Sequence, residues 1–187
     1  MNAPIDVTNI FLETPRLILR PWRESDLDDF YAYASIPGVG EMAGWPHHES
    51  IETSRIILDS FIRHKKTLAL ELKETGNVIG SLGLEEMCPD PLGPEKQGRE
   101  VGYVLSKAYW GRGLMTEAVS AVIRYCFHVL EYDYLTCSHF LSNIRSRRVI
   151  EKCGFVNFGE SEYETQFDTV EMSRNYILYN ENEVIYV

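Results

Sequence analysis

The segment from Glu100 to Leu130 constrains this chain most. Glu100-Val101-Gly102-Tyr103-Val104-Leu105 reads as a strand. It runs into Tyr109-Trp110-Gly111-Arg112-Gly113, a turn with two glycines. A long helix follows at once, Leu114 to Leu130, with apolar residues at Ala118, Val122, Ile123, Phe127 and Leu130. Such a helix starts with unpaired backbone N–H groups and a partial positive charge, and together these bind phosphate oxygens. The glycines serve by leaving room for close approach or by taking positive φ. Arg112 adds a cation at the same place. The turn is not a Walker A loop, because no Lys-Ser/Thr follows the glycines. It is not a Rossmann fingerprint either, because Gly-x-Gly-x-x-Gly is absent.

The rest of the chain supplies an α/β frame around this unit. Leu17 and Leu19 alternate with Arg16, Ile18 and Arg20 in a first strand that Pro21 closes. Ser25 reads as the N-cap of a helix over Asp26–Ser35. Ser50 caps a second helix carrying Ile51, Ile56, Ile57, Phe61 and Ile62. Thr67–Leu72 and Val78–Leu84 form a hairpin, and Met87–Gly98, rich in proline and glycine, reads as a mobile loop. Tyr134–Phe140 is a strand, Asn143–Cys153 a helix stopped by Gly154, and Phe155 onward with Met172–Tyr179 a closing pair of strands. The order is β-α-α-β-β-β-α-β-α-β-β. With 187 residues, no internal repeat and no linker, residues 1–187 read as one domain.

Charge narrows the partners. The net charge is −10, which argues against non-specific nucleic-acid binding. Residues 99–152 nevertheless hold eight basic side chains (Arg99, Lys107, Arg112, Arg124, Arg145, Arg147, Arg148, Lys152) against five acidic ones, so this island is +3 and the remainder −13. A basic island in an acidic protein suits a small polyanion or is a solvated face. No stretch reaches the length of a membrane span, and no basic-then-apolar leader opens the chain. Cys88, Cys126, Cys137 and Cys153 form no Cys-x-x-Cys pair and no metal-ligand spacing. Cys126 and Cys153 read as buried reduced thiols and Cys137 as core of a strand, with a catalytic thiol the lesser alternative. A cytoplasmic protein without a metal is expected.

These residues carry a resemblance. Tyr109 to Ala118 resembles the acetyl-CoA pyrophosphate loop of the GCN5-related N-acetyltransferase (GNAT) superfamily. Trp110-Gly111-Arg112-Gly113-Leu114-Met115-Thr116-Glu117-Ala118 is similar to the branch that acetylates ribosomal-protein N-termini. Asn143-Ile144-Arg145-Ser146 with Glu151-Lys152-Cys153-Gly154-Phe155 matches further on, and Thr14-Pro15-Arg16-Leu17-Ile18-Leu19-Arg20-Pro21-Trp22 matches at the start. Trp110 and Met115 depart from the superfamily's broad Gln/Arg-x-x-Gly-x-Gly/Ala pattern. Backbone N–H groups of Arg112, Gly113, Met115 and Thr116 can still hold phosphate.

The resemblance implies a single-domain fold, a mixed and mostly antiparallel sheet of about seven strands with splayed central parallel strands and flanking helices. It implies acetyl-CoA as co-substrate and an amine acceptor, either a small molecule or a protein N-terminus. Homodimers are common in the superfamily. The pantetheine arm would pair with the backbone of Val104, Leu105 and Ser106, and the N–H of Val104 or Leu105 would polarise the thioester. Asn143 would hold the arm or simply cap its helix. Arg145, Arg147 and Arg148 crowd the same helix start. Helical spacing lets only some of them, Arg148 among the expected cofactor residues, meet the outer phosphate, while the others form a solvated face. Ser146 would protonate the leaving sulfur, because the family's alternative tyrosine position is Ile150 here. Glu100 leads as the base, with His47, His48 or water as alternatives. A non-catalytic acetyl-CoA-binding module is the competing class.

Overall fold

The computed structural model describes residues 1–87, 90–93 and 95–180. Eight strands form one sheet. They are β1 (Leu12–Glu13), β2 (Leu17–Pro21), β3 (Thr67–Leu72), β4 (Val78–Glu85), β5 (Gly98–Leu105), β6 (Tyr134–Phe140), β7 (Val156–Glu164) and β8 (Val170–Tyr179). Four α-helices accompany them: α1 (Leu27–Ala34), α2 (Ile51–His64), α3 (Leu114–His128) and α4 (Ile144–Lys152). The sheet order is β1-β2-β3-β4-β5-β6-β8-β7, and β5–β6 is the parallel pair among antiparallel neighbours. The expected mixed sheet is borne out, with the two-residue β1 as the added strand.

Alternation along the central strands gives the sheet two apolar faces. Leu17, Leu19, Leu68, Leu70, Leu82, Val101 and Leu105 pack with Leu114, Ala118, Val122 and Cys126 of α3. On the other face Trp22, Ala69 and Val78 pack with Leu27, Phe30 and Tyr33 of α1 and Leu58 of α2. Phe30 sits against both Trp22 and Phe61, at ring-centroid distances of 5.1 and 5.5 Å. The helices therefore lie on both sides of the sheet, and the β5–β6 seam between them is reachable from each.

Helix ends follow local chemistry, with one correction. Ser50 caps α2 as expected, its Oγ accepting the Thr53 N–H at 3.2 Å. Ser25 does not cap α1. A 3-10 turn (Glu24–Asp26) precedes that helix, and the Asp26 carboxylate accepts the Arg23 N–H at 2.8 Å. The same carboxylate pairs with the buried Arg20 at 2.8 and 2.9 Å, and Arg20 also reaches Glu71 at 2.6 Å. Arg20 is thus buried rather than solvated, because two carboxylates satisfy it.

The segment expected to be a mobile loop is tied at its described positions. Asn2 accepts the Met87 N–H and donates to the Met87 carbonyl, at 2.8 and 3.0 Å. Tyr134 donates to Asp90 at 2.6 Å. Cys88 lies outside the described residues. Cys126 and Cys137 are buried free thiols, while Cys153 is half-buried at the end of α4. No described helix is long and apolar enough to cross a membrane.

Candidate active site

Strands β5 and β6 pair only from Gly98–Tyr134 to Glu100–Thr136. Beyond that point they diverge, and the opening leads into a cavity of about 860 Å³. Glu100, Tyr103, Val104, Leu105, Gly113, Met115, Thr116, Asn143, Ser146 and Arg148 all line it. Ser106 and Arg112 do not.

Backbone alternation decides which strand groups face the slit. The Ser106 N–H bonds the Ile79 carbonyl at 2.7 Å, on the β4 side. The Leu105 carbonyl accepts Trp110 Nε1–H at 2.7 Å on the opposite side. With a period of two, the N–H groups of Tyr103 and Leu105 point into the slit, and that of Val104 points to Ser81 of β4. Of the two expected donors, Leu105 is the one available. The Ser106 N–H is taken up by β4, and its carbonyl accepts the Tyr109 N–H at 3.0 Å.

The turn before α3 has the expected strain pattern. Gly111 has φ +76° and Gly113 φ +75°. A Cβ at Gly111 would meet nothing within 4 Å, and one at Gly113 only Arg16 Nη2 at 3.7 Å. In the protein alone, glycine is therefore required here by left-handed backbone and not by crowding. The first intrahelical bond runs from Glu117 N–H to the Gly113 carbonyl at 3.1 Å. The N–H groups of Leu114, Met115 and Thr116 precede it and stay unpaired within the helix.

The Thr14-Pro15-Arg16 opening braces this turn. The Glu117 carboxylate accepts Thr14 Oγ1–H, Arg16 N–H and Arg16 Nε–H at 2.6, 2.9 and 2.7 Å. Arg16 Nη1 donates to the Arg112 carbonyl at 2.9 Å. The Arg112 guanidinium lies over the Tyr109 ring, 5.2 Å from its centroid.

Helix α4 brings a second cationic edge. Asn143 is its N-cap, accepting the Ser146 N–H at 3.2 Å, and its Nδ2 donates to the Met42 carbonyl at 3.2 Å. Arg145, Arg148 and Lys152 follow at helical spacing and all line the cavity. Arg145 stacks on Trp110 at 4.6 Å. Arg147 points elsewhere and pairs with Glu151 at 2.8 Å.

Proton-handling groups sit on opposite faces of β5. On the α1–α2 face, Glu100 Oε1 accepts Ser138 Oγ–H at 2.8 Å. Burial, and secondarily Glu85 directly across β4, raise its pKa, while the Ser138 bond opposes this. A carboxylate raised in this way is better matched to a base working near neutrality. On the α3–α4 face, Tyr103 Oη lies 2.9 Å from Ser146 Oγ.

The histidines fall elsewhere. His47 Nδ1 meets Glu41 at 2.7 Å, and buried His48 meets Ser54 at 2.7 Å between Phe30 and Trp45. Neither lines the cavity. Sequence reasoning missed Tyr103, Glu85 and His139, which do line it. Of the three arginines expected at the start of α4, Arg145 and Arg148, spaced i, i+3, line the cavity and Arg147 does not. The strand-to-helix contact of Tyr103 had no readable signal.

Residues 16–156 match the family described as acetyltransferase (GNAT) domain. The Bacillus subtilis protein named uncharacterized N-acetyltransferase YoaA is 29% identical over 153 residues, covering 79% of this chain and 84% of its own. A GNAT-family acetyltransferase structure from Bacillus anthracis superposes with TM-score 0.80 at 20% identity, covering 92% of this chain and 99% of its own. The ribosomal-protein-S5-alanine acetyltransferase of Vibrio fischeri superposes with TM-score 0.72 at 20% identity, covering 93% and 98%.

Proposed function

The chain belongs to the GNAT family of acetyltransferases and is an acyltransferase enzyme; on that footing we propose that it moves an acetyl group from acetyl-CoA to a primary amine, with a protein N-terminal α-amine as the acceptor. The observation that carries this is the slit itself. It has a carboxylate on one face, a hydroxyl pair on the other, and N–H groups and cations at its ends. A volume of about 860 Å³ fits a long phosphorylated thioester arm plus an amine. Likeness to a structure named as a ribosomal-protein acetyltransferase favours the α-amine. So does the acidic remainder of the chain, which suits a basic protein partner.

Residues 1–187 act as one catalytic domain in this reading, in a reducing cytoplasm that suits the free thiols. The unpaired N–H groups of Leu114, Met115 and Thr116 hold the pyrophosphate, and Arg145 and Arg148 meet the outer phosphate. The Leu105 N–H polarises the thioester carbonyl, a contribution of roughly 3 kcal/mol for a pre-aligned donor. Glu100 takes the proton that the amine loses. An α-amine with pKa ~8 is already about a tenth neutral at pH 7, so this base is asked for little; a lysine at ~10.4 would ask far more. Ser146 delivers a proton to the leaving sulfur.

The test is a competition read by mass spectrometry. A basic peptide with a free α-amine, the same peptide N-terminally blocked with one lysine, and a linear polyamine are mixed with acetyl-CoA and the protein. Acetylation confined to the free α-amine supports the reading. Preference for the polyamine would move the acceptor to small amines, and acetyl-CoA binding with no product on any amine would favour a non-catalytic module.

A further inference from the structure

Ile150, which takes the α4 position where the family resemblance would put a tyrosine acid, is fully buried in the core. A phenol nevertheless reaches the slit beside Ser146 from the opposite element. Tyr103 of β5 faces α4, and its Oη lies 2.9 Å from Ser146 Oγ and 3.2 Å from the Ser146 carbonyl oxygen. Tyr103, Ser146 and Cys137 all border the cavity.

We propose that Tyr103 is the proton source behind Ser146, so that the two hydroxyls act as one relay to the leaving group; this rests on the acetyl-transfer reading above. As the C–S bond breaks, its electron pair stays on sulfur. The Ser146 Oγ–H proton passes to that sulfur and forms the thiol. The Tyr103 Oη–H proton passes to Ser146 Oγ, which ends as it began. The negative charge comes to rest on the phenolate, which water in the cavity reprotonates once the thiol has left.

The chemistry favours a pair over serine alone. A lone serine would be left as an alkoxide, whereas the pair leaves the charge on a phenolate, where the ring delocalises it. Burial, then the neighbouring Cys137 thiol, raise the Tyr103 pKa, and the Ser146 bond lowers it. The phenol is thereby kept protonated until charge develops on sulfur. Glu100 is on the other face of β5, so the proton accepted from the amine and the proton given to sulfur do not share a path.

The test compares Tyr103→Phe, Ser146→Ala and the double variant with wild type. Single-turnover transfer should fall at least about tenfold in Tyr103→Phe, and the double variant should be no slower than the slower single, because one path is cut once. Acetyl-CoA affinity by calorimetry should stay within about twofold, since the relay acts in the transition state. A readout independent of turnover is the ultraviolet titration of phenolates in the ligand-free protein. Tyr103→Phe should remove one phenol that ionises above the ordinary range, and Ser146→Ala should move that step higher.

Should Tyr103→Phe fail to fold, the rate in mixed light and heavy water decides. A curved dependence that becomes linear in Ser146→Ala supports the relay, and a linear one in wild type overturns it. Transfer by Tyr103→Phe at the wild-type rate, or strictly multiplicative losses in the double variant, would also overturn the relay while leaving acetyl transfer intact. A wild type that transfers to no amine would overturn both.

Discussion

Gly113 offers the sharpest separation of backbone strain from phosphate binding. Its φ of +75° is left-handed, and the only atom near an added Cβ is Arg16 Nη2 at 3.7 Å. Asn and Asp both tolerate this conformation and are nearly equal in size, so Gly113→Asn and Gly113→Asp should share one strain cost. They differ by one negative charge at the helix N-terminus. If phosphate oxygens lie about 4 Å away, that charge costs ~1 kcal/mol in bulk water and ~4 kcal/mol at an effective dielectric of 20. Arg16 is already engaged by Glu117 and offsets part of this, which favours the lower half of the range. Acetyl-CoA should therefore bind Gly113→Asp about 5- to 70-fold more weakly than Gly113→Asn, a ratio that 1 M salt should shrink. Calorimetric titration at low and high salt measures it. Equal affinities at low salt would refute the phosphate-binding role of the turn.

Three further outcomes are expected. Glu100→Gln should raise the melting temperature at pH 8 and leave it nearly unchanged at pH 4. Burial raises the native Glu100 pKa, so ionising it costs the native state stability as pH rises through that pKa, and a neutral amide escapes the cost. The same variant's transfer rate should recover toward high pH, where the amine deprotonates unaided; a profile parallel to wild type would point to water as the base. Arg145→Ala with Arg148→Ala should weaken acetyl-CoA binding by roughly 1.5–3 kcal/mol and leave the dephosphorylated analogue unaffected, with Arg147→Ala as the inert control because it pairs with Glu151. Arg16→Ala removes a half-exposed ion pair worth up to about 1 kcal/mol, so a melting-point loss of no more than about 4 °C should accompany a few-fold weaker affinity.

Much of the frame was legible because its signals are local. Thr67–Leu72 and Tyr134–Phe140 alternate cleanly, and their observed ends coincide with the pattern. The two positive-φ glycines sit between a strand and a helix, so the turn announces itself in consecutive residues. What escaped depends on contacts between distant segments. The N-cap of α1 was misplaced because Asp26 is drawn to Arg20 and Arg23, and an isolated serine pattern cannot show that competition. Val104 and Leu105 could not be told apart until Ser106 was seen bonded to Ile79, which sets the phase of the whole strand. The residue Ile150 said that a tyrosine was missing from α4. Only the packing of β5 against α4 reveals Tyr103 beside Ser146.

The central claim is that this slit joins acetyl-CoA to an amine. Its most direct measurement follows released CoA thiol and acetylated peptide α-amine together in one reaction, for wild type and for Ser146→Ala. The account predicts one acetylated amine for each thiol released by wild type, and a rate lower by about 10²–10⁴ in the variant at unchanged acetyl-CoA affinity. Thiol release without acetylated amine, or a variant within about threefold of wild type, would contradict it.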